Sequence, residues 1–200
     1  MLLGDAAYKK THWPNSNGYL HVEQKDEEFV QLLWDQFNTL KIVGAEPKTR
    51  TRFYKRTGNS YTITLFVTLT LPLLTEFHKQ WYRNIGGKNI KVLPNNMANL
   101  LTPIALAFWC ASDATYSKRD GVIFICSDSF TPDEVDILRS ILLTKFNINS
   151  TRFLNGTGKE QYRIRILKAS IPTLQSLVAP HMPPTMRYRV GLNALSDSSL

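Results

Sequence analysis

Two aspartates close runs of small residues, Gly4-Asp5-Ala6 near the start of the chain and Ser112-Asp113-Ala114 in its second half, 108 positions further on. Ala105, Ala107 and Ala111 give the segment before Asp113 a slim side that lets a helix approach a partner closely. If the two acid-bearing helices pack together, Asp5 and Asp113 meet at helix C-termini. Partial negative charge there, and the mutual repulsion of two carboxylates, make that placement unfavourable in isolation. A divalent cation offsets both penalties, and hard carboxylate oxygens suit Mg²⁺. Paired carboxylates holding a metal are suited to phosphodiester hydrolysis. A lone Asp at a helix end is more often an ordinary turn residue, so this chemistry needs a polyanion-binding surface around it.

The chain carries the charge for such a surface. Its 200 residues hold 24 Lys and Arg against 16 Asp and Glu, a formal charge of +8 and a pI near 9.5. Each phosphate contacted by Lys or Arg releases counterions and strengthens binding. The basic residues fall on strand-like and hairpin-like segments: Lys48, Arg50, Arg52, Lys55 and Arg56 in the first half, then Lys118, Arg119, Arg152, Lys159, Arg163 and Arg165 in the second. Each of them alone is as well explained by solvation of an exposed sheet. Together they favour contact with duplex DNA, whose major groove admits strands and whose base edges pair with Arg and Thr.

The elements that must position these residues are legible from spacing. Thr131 can cap a helix, Pro132 suits its first position and Glu134 completes a capping box; Val135, Leu138, Ile141 and Leu142 then recur at helical spacing as far as Phe146. Leu101-Thr102-Pro103-Ile104 opens a second helix, and residues 27–40 suit a third, with Phe29, Leu32, Leu33 and Phe37 on one face. Strands are expected over 19–24, 60–68, 122–126 and 161–167. In the second of these Tyr61, Ile63 and Leu65 alternate with Ser60, Thr62 and Thr64; in the last Ile164 and Ile166 alternate with Arg163 and Arg165. Such alternation implies a core face and a wet face.

From Asp5 the order reads loop, strand, helix, strand, strand, helix, and it returns from Asp113. The chain is therefore expected to be an α+β protein of two pseudo-symmetric units, 1–94 and 95–192, with a seam near Pro94-Asn95-Asn96 and a flexible tail over 193–200. Two antiparallel sheets side by side would form a saddle.

Other classes are disfavoured. Cys110 and Cys126 lack neighbours at zinc-ligand spacing, no stretch reaches the roughly 20 apolar residues of a membrane span, and the start has no secretory pattern. Gly86-Gly87-Lys88 lacks phosphate-loop spacing and reads as a turn, and the serines and histidines form no triad.

Several ordered segments resemble the LAGLIDADG homing endonucleases. They are Leu2-Leu3-Gly4-Asp5-Ala6, Lys91-Val92-Leu93-Pro94-Asn95-Asn96, the run from Leu101 to Trp109, Ser127-Asp128-Ser129-Phe130-Thr131, and the run from Pro183 to Arg189. The resemblance spans nearly the whole chain. It implies an αββαββα unit used twice in one chain, the first motif helix truncated, and a monomer that cuts both strands of a long DNA target with Mg²⁺. Asp5 and Asp113 then resemble the metal-binding acids. Lys91 matches a basic residue near the scissile phosphates, Arg189 holds the corresponding place in the second half, and Gln24 and Asp128 match polar residues near the active centre. Such proteins are intron-encoded in organelle genomes, so a mitochondrion is expected, with a chloroplast second.

The second motif departs from the family pattern. Ala111-Ser112-Asp113-Ala114 replaces the usual Met-Asp-Asp-Gly, which removes the residue best suited to a positive φ, and Arg189 stands where relatives carry Lys. The alternative reading is an RNA maturase acting on intron RNA, or a cleavage-dead DNA binder, on the same fold. A third, an unrelated basic structural or ribosome-associated protein, would show neither metal dependence nor a preferred site.

Overall fold

A computed structural model describes Leu3 and residues 6–10, 16–55, 57–156 and 160–192. The chain forms two compact units that divide between Lys79 and Gln80, with Leu3 grouped with the second. That division lies upstream of Pro94-Asn95-Asn96.

The first unit runs β1 (Ala7–Lys10), β2 (Gly18–Gln24), α1 (Glu27–Thr39), β3 (Lys48–Tyr54) and β4 (Asn59–Val67), and most of α2 (Pro72–Trp81), which crosses the division. Its sheet is antiparallel in the order β1-β2-β4-β3. α1 starts where Asp26 accepts a 2.8 Å hydrogen bond from the Phe29 amide, which satisfies one of the orphan donors of a helix start. Phe29, Val30 and Leu33 are its buried face, each worth about 1.5–3 kcal/mol in area removed from water.

β4 buries residues on both faces rather than one: Ile63, on the expected core face, is 3% exposed, and Ser60 and Thr62 are exposed. Thr64 and Phe66 are each 3% exposed on the face shared with Leu20 and Val22, and Phe66 packs against Phe37 of α1 at 6.0 Å. The Thr64 hydroxyl is satisfied by Thr49, at 3.2 Å, so burying it costs little. Tyr61, Ile63 and Leu65 pair with Arg52, Arg50 and Lys48 on the opposite, charged face. Position 66 decides the register: placing Phe66 on the core outweighs placing Tyr61 there.

The second unit continues through β5 (Tyr82–Ile85) and β6 (Lys88–Lys91), a separate hairpin turned by Gly86 and Gly87 at φ +58° and +78°. The expected turn is therefore present. A short α3 (Met97–Leu100) leads to α4 (Pro103–Asp113), β7 (Ala114–Ser117), β8 (Val122–Ile125), α5 (Pro132–Phe146), β9 (Ser150–Leu154), β10 (Tyr162–Ile166), α6 (Ile171–Val178) and a 3₁₀ turn, Pro184–Val190. The sheet order β7-β8-β10-β9 repeats that of the first unit. β1 and β7 occupy segments expected as loops; both are four residues long, too short for periodicity to mark.

α5 carries the expected capping box, with Thr131 and Glu134 satisfying each other's backbone amides, and ends at Asn147 in the left-handed region. Ile164 and Ile166 are wholly buried and Arg163 and Arg165 lie across the sheet from them, as expected. Among the described residues no helix is long and apolar enough to cross a membrane.

Candidate functional site

α4 delivers Asp113. Thr102 caps the helix by accepting from the Ala105 amide, and residues from Leu106 to Ser112 are all buried. A helix enclosed all round is held at a fixed position, and so is the acid at its end. The Ser112 hydroxyl turns back to donate to the Phe108 carbonyl at 3.0 Å, and the Asp113 carbonyl accepts from the Cys126 amide at 3.0 Å. The chain then passes directly into β7 with Ala114 at φ −80° and ψ 152°. No positive φ is needed there, so the missing glycine does not strain the turn.

Arg189 reaches the same corner. Its Nη1 donates to the Ala114 carbonyl at 3.2 Å, which sets a guanidinium one residue from Asp113. The 3₁₀ turn that carries it closes at Gly191, φ +75°, where a Cβ would meet the Tyr116 ring of β7 at 3.0 Å. Lys91 ends β6 with its ammonium 5.6 Å from the centre of the Phe130 ring, near the start of α5, where the Leu93 amide donates to Glu134. Asp128 is tethered: one oxygen accepts from Asn155 at 2.9 Å and the other lies 3.5 Å from Arg163 Nε. Gln24 ends β2 in the first unit, paired with Thr64. Asp5 lies outside the described residues. When Ala6 is matched with Ala114, the two ladders place Ser127 opposite Tyr162 as Gln24 is opposite Thr64, so Asp128 stands one residue past Gln24's counterpart.

The wet face of the first sheet holds Lys48, and Lys9, His21, Glu23, Arg50 and Arg52 line a shallow groove there of about 440 Å³ that also includes Ala7 and Ile63. Glu23 bonds Arg50 at 2.8 Å and Arg52 at 2.5 Å. Burial, and then the charge of Lys9, push the His21 imidazole below its usual pKa. Lys55 is exposed just past β3, and Arg56 lies outside the described residues. Lys25 sits over the Tyr61 ring at 3.5 Å.

On the second sheet Arg163 and Arg165 share the wet face with Phe124 and Phe153, whose rings are 5.0 Å apart. Lys118 and Arg119 are exposed on the β7–β8 turn, Arg119 being paired with Asp120 at 3.1 Å. Arg152 is placed otherwise than expected. It pairs with Ile164 on the helix-covered face, bonds Asp136 of α5 at 2.8 Å and stacks 4.7 Å from the Tyr162 ring centre. Lys159 lies outside the described residues. The free thiols differ too, Cys110 being buried and Cys126 only partly so.

Sequence reasoning passed over Lys9, His21 and Glu23, although Tyr19, His21 and Glu23 alternate with Leu20 and Val22 and so carried a parity signal. It also passed over Arg83 and Lys88 of the β5–β6 hairpin. Among the described residues no three His, Cys, Asp or Glu side chains cluster as a metal site.

Comparison with known proteins places this geometry in context. The profile of the LAGLIDADG DNA endonuclease family matches residues 1–174. The cytochrome b mRNA maturase bI2 of Debaryomyces hansenii is 33% identical over 192 residues, covering 95% of this chain and 70% of the maturase. The homing endonuclease I-WcaI, solved bound to its DNA recognition sequence, superposes with a TM-score of 0.81 at 23% identity, over 96% of this chain and 83% of that one. I-DmoI, solved in complex with DNA and Mn, has a TM-score of 0.54 at 15% identity, over 90% of this chain and 96% of its own.

Proposed function

The chain belongs to the LAGLIDADG DNA endonuclease family, and from that premise we propose that it is an intron-encoded, site-specific endonuclease that hydrolyses both strands of a long duplex target. The observation that carries the reading is the corner where a rigidly enclosed helix ends in Asp113 and Arg189 binds the adjoining Ala114 carbonyl.

Asp113 offers a hard anionic oxygen beside the partial negative charge of a helix C-terminus, a donor set that fits a divalent cation. The cation would be Mg²⁺, with Asp113 as a ligand; Asp5, the companion acid expected from the sequence, lies outside the described residues. When bound, the cation supplies the Lewis acidity that phosphodiester hydrolysis requires. Arg189 and Lys91 would neutralise the phosphate under attack, the guanidinium offering a planar fork of donors where relatives carry Lys. Gln24, at the end of β2, is the polar residue that the first unit would contribute to catalysis. Asp128 would serve near the reacting centre, its carboxylate anchored by Asn155 and 3.5 Å from Arg163. The two family repeats would meet near Pro94-Asn95-Asn96, downstream of the division between the compact units at Lys79 and Gln80, and the protein would act as a monomer in the mitochondrion, where an intron-borne gene would be expressed.

The target is gripped by the wet sheet faces, where Lys48, Arg50, Arg52, Arg163 and Arg165 meet phosphates and base edges. A second reading, an RNA maturase, is favoured by the 33% identity to the Debaryomyces hansenii protein. One assay separates the two: cleavage of duplex DNA spanning the intronless insertion site, with and without Mg²⁺, by the natural protein and by Asp113→Asn. Site-specific double-strand cuts that need Mg²⁺ and vanish in the variant support the nuclease. Intact DNA in both, with folded protein, supports the maturase.

A further inference from the structure

An acid on a face built to meet phosphates works against affinity. Glu23 stands on that face, on the central strand β2, opposite Leu65 and in line with Lys48 across the ladder. Its side chain is only 16% exposed, whereas those of Arg50 and Arg52 are 49% and 42% exposed. The carboxylate lies low and the guanidiniums stand above it. Each oxygen serves a different arginine: Oε2 takes Nη2 of Arg50 and Oε1 takes Nη1 of Arg52. A guanidinium has five N–H donors in a rigid fork, so one bond to Glu23 restrains it and leaves other donors free.

Unheld arginines on an exposed strand swing towards the nearest phosphate, which adds affinity for any sequence. A held fork presents one geometry, which matches the O6 and N7 acceptors of guanine and mismatches other bases. The neighbouring His21 adds little charge of its own, because burial and Lys9 hold its imidazole below the usual pKa.

We propose that Glu23 is a specificity-determining positioning residue, which holds Arg50 and Arg52 as fixed forks for guanine-bearing base pairs of the target and so trades general affinity for sequence discrimination. This rests on the sheet face being the DNA-reading surface of an endonuclease.

The test uses the full chain and a randomised duplex pool, with binding selection for the natural protein, Glu23→Gln and the double variant Arg50→Lys/Arg52→Lys. Dissociation constants are then measured on the selected and a scrambled duplex across a salt series, and a thermal melt checks that each variant is folded. Glu23→Gln should bind the scrambled duplex more tightly and steepen the salt dependence by about 0.9 in log–log slope for each arginine released to a phosphate. Its ratio of selected to scrambled affinity should fall about tenfold, with the lost preference confined to a few adjacent base pairs. The Lys pair keeps the charge but not the fork, and should lose the same preference. If the natural protein selects a site and Glu23→Gln keeps both its affinity ratio and its preference at every position, the positioning role is overturned while the endonuclease reading stands. If the natural protein selects no duplex sequence, that reading falls and this inference falls with it.

Discussion

Arg152 and Arg165 lie on neighbouring strands of one sheet, yet the structure gives them opposite duties, and a pair of alanine substitutions separates them. Arg152 faces α5. Its ion pair with Asp136 is half exposed, the two side chains being 35% and 43% accessible, so it contributes about 0.2–1 kcal/mol after screening. Its stacking on Tyr162 at 4.7 Å adds about 0.5–1 kcal/mol. Arg152→Ala should therefore cost about 1–2 kcal/mol of stability, a fall in Tm of about 2–8 °C for a chain of this size. Its affinity for target DNA should change less than about twofold once the fraction folded is matched. Arg165 pairs with Phe124 and Thr151 on the wet face, and no ion pair to it is seen among the described residues. Arg165→Ala should leave Tm within about 2 °C but weaken target binding by about 1–3 kcal/mol, the range for a bidentate base contact. Differential scanning calorimetry and fluorescence anisotropy on the same preparations measure both quantities. Equal losses of DNA affinity in the two variants would refute the assignment of faces, and with it the claim that β9 turns Arg152 away from the nucleic acid.

Three further outcomes are expected. Thr131→Ala removes the cap of α5 and half of its capping box, and should cost about 1 kcal/mol, read as a lower urea midpoint with an unchanged slope. Leu142→Ala opens a cavity beneath a fully buried position of the same helix and should cost about 2–5 kcal/mol; a loss below 1 kcal/mol by the same titration would show that α5 is not packed as described. For His21 the folded imidazole lies below the unfolded value of 6.5 because of burial and Lys9. The unfolded chain then binds more protons, so stability is full above 6.5 and declines as pH falls through it. A His21→Gln variant should show a flatter stability profile between pH 7 and 5, and an unchanged profile would remove His21 as its source.

What the sequence disclosed depended on how many independent signals each element carried. α5 combined a cap, a proline, a capping glutamate and helical spacing, and the structure has it where those signals put it. β10 was legible because two isoleucines alternate with two arginines, and nothing else competes for its core face. β4 offered apolar residues on both faces, and parity alone named one although both are buried in part; the contact that reveals the other, Phe66 against Phe37, joins strand to helix across the fold. Arg152 was assigned to the solvent by its type. Its partner Asp136 lies sixteen positions away on a helix, and the bond leaves no trace in local spacing. At the candidate site, Asp113 and Arg189 could be named but not joined from sequence, because 75 residues separate Arg189 from the Ala114 carbonyl that it binds.

The acids paired with the basic residues of the sheets and of the β7–β8 turn bear on the proposed DNA-reading role. A chain with a surplus of eight positive charges could have spread them for greatest attraction. Instead Arg50 and Arg52 share Glu23, Arg119 has Asp120, and Arg163 has Asp128 at 3.5 Å. Each carboxylate subtracts from the counterion-driven term that acts on every sequence alike. What remains is the contact whose geometry the protein has already fixed, and that contact depends on the base presented. The two units differ in how firmly they do this: Glu23 hydrogen-bonds both of its arginines, whereas Asp128 Oδ1 and Arg163 Nε lie 3.5 Å apart without a hydrogen bond.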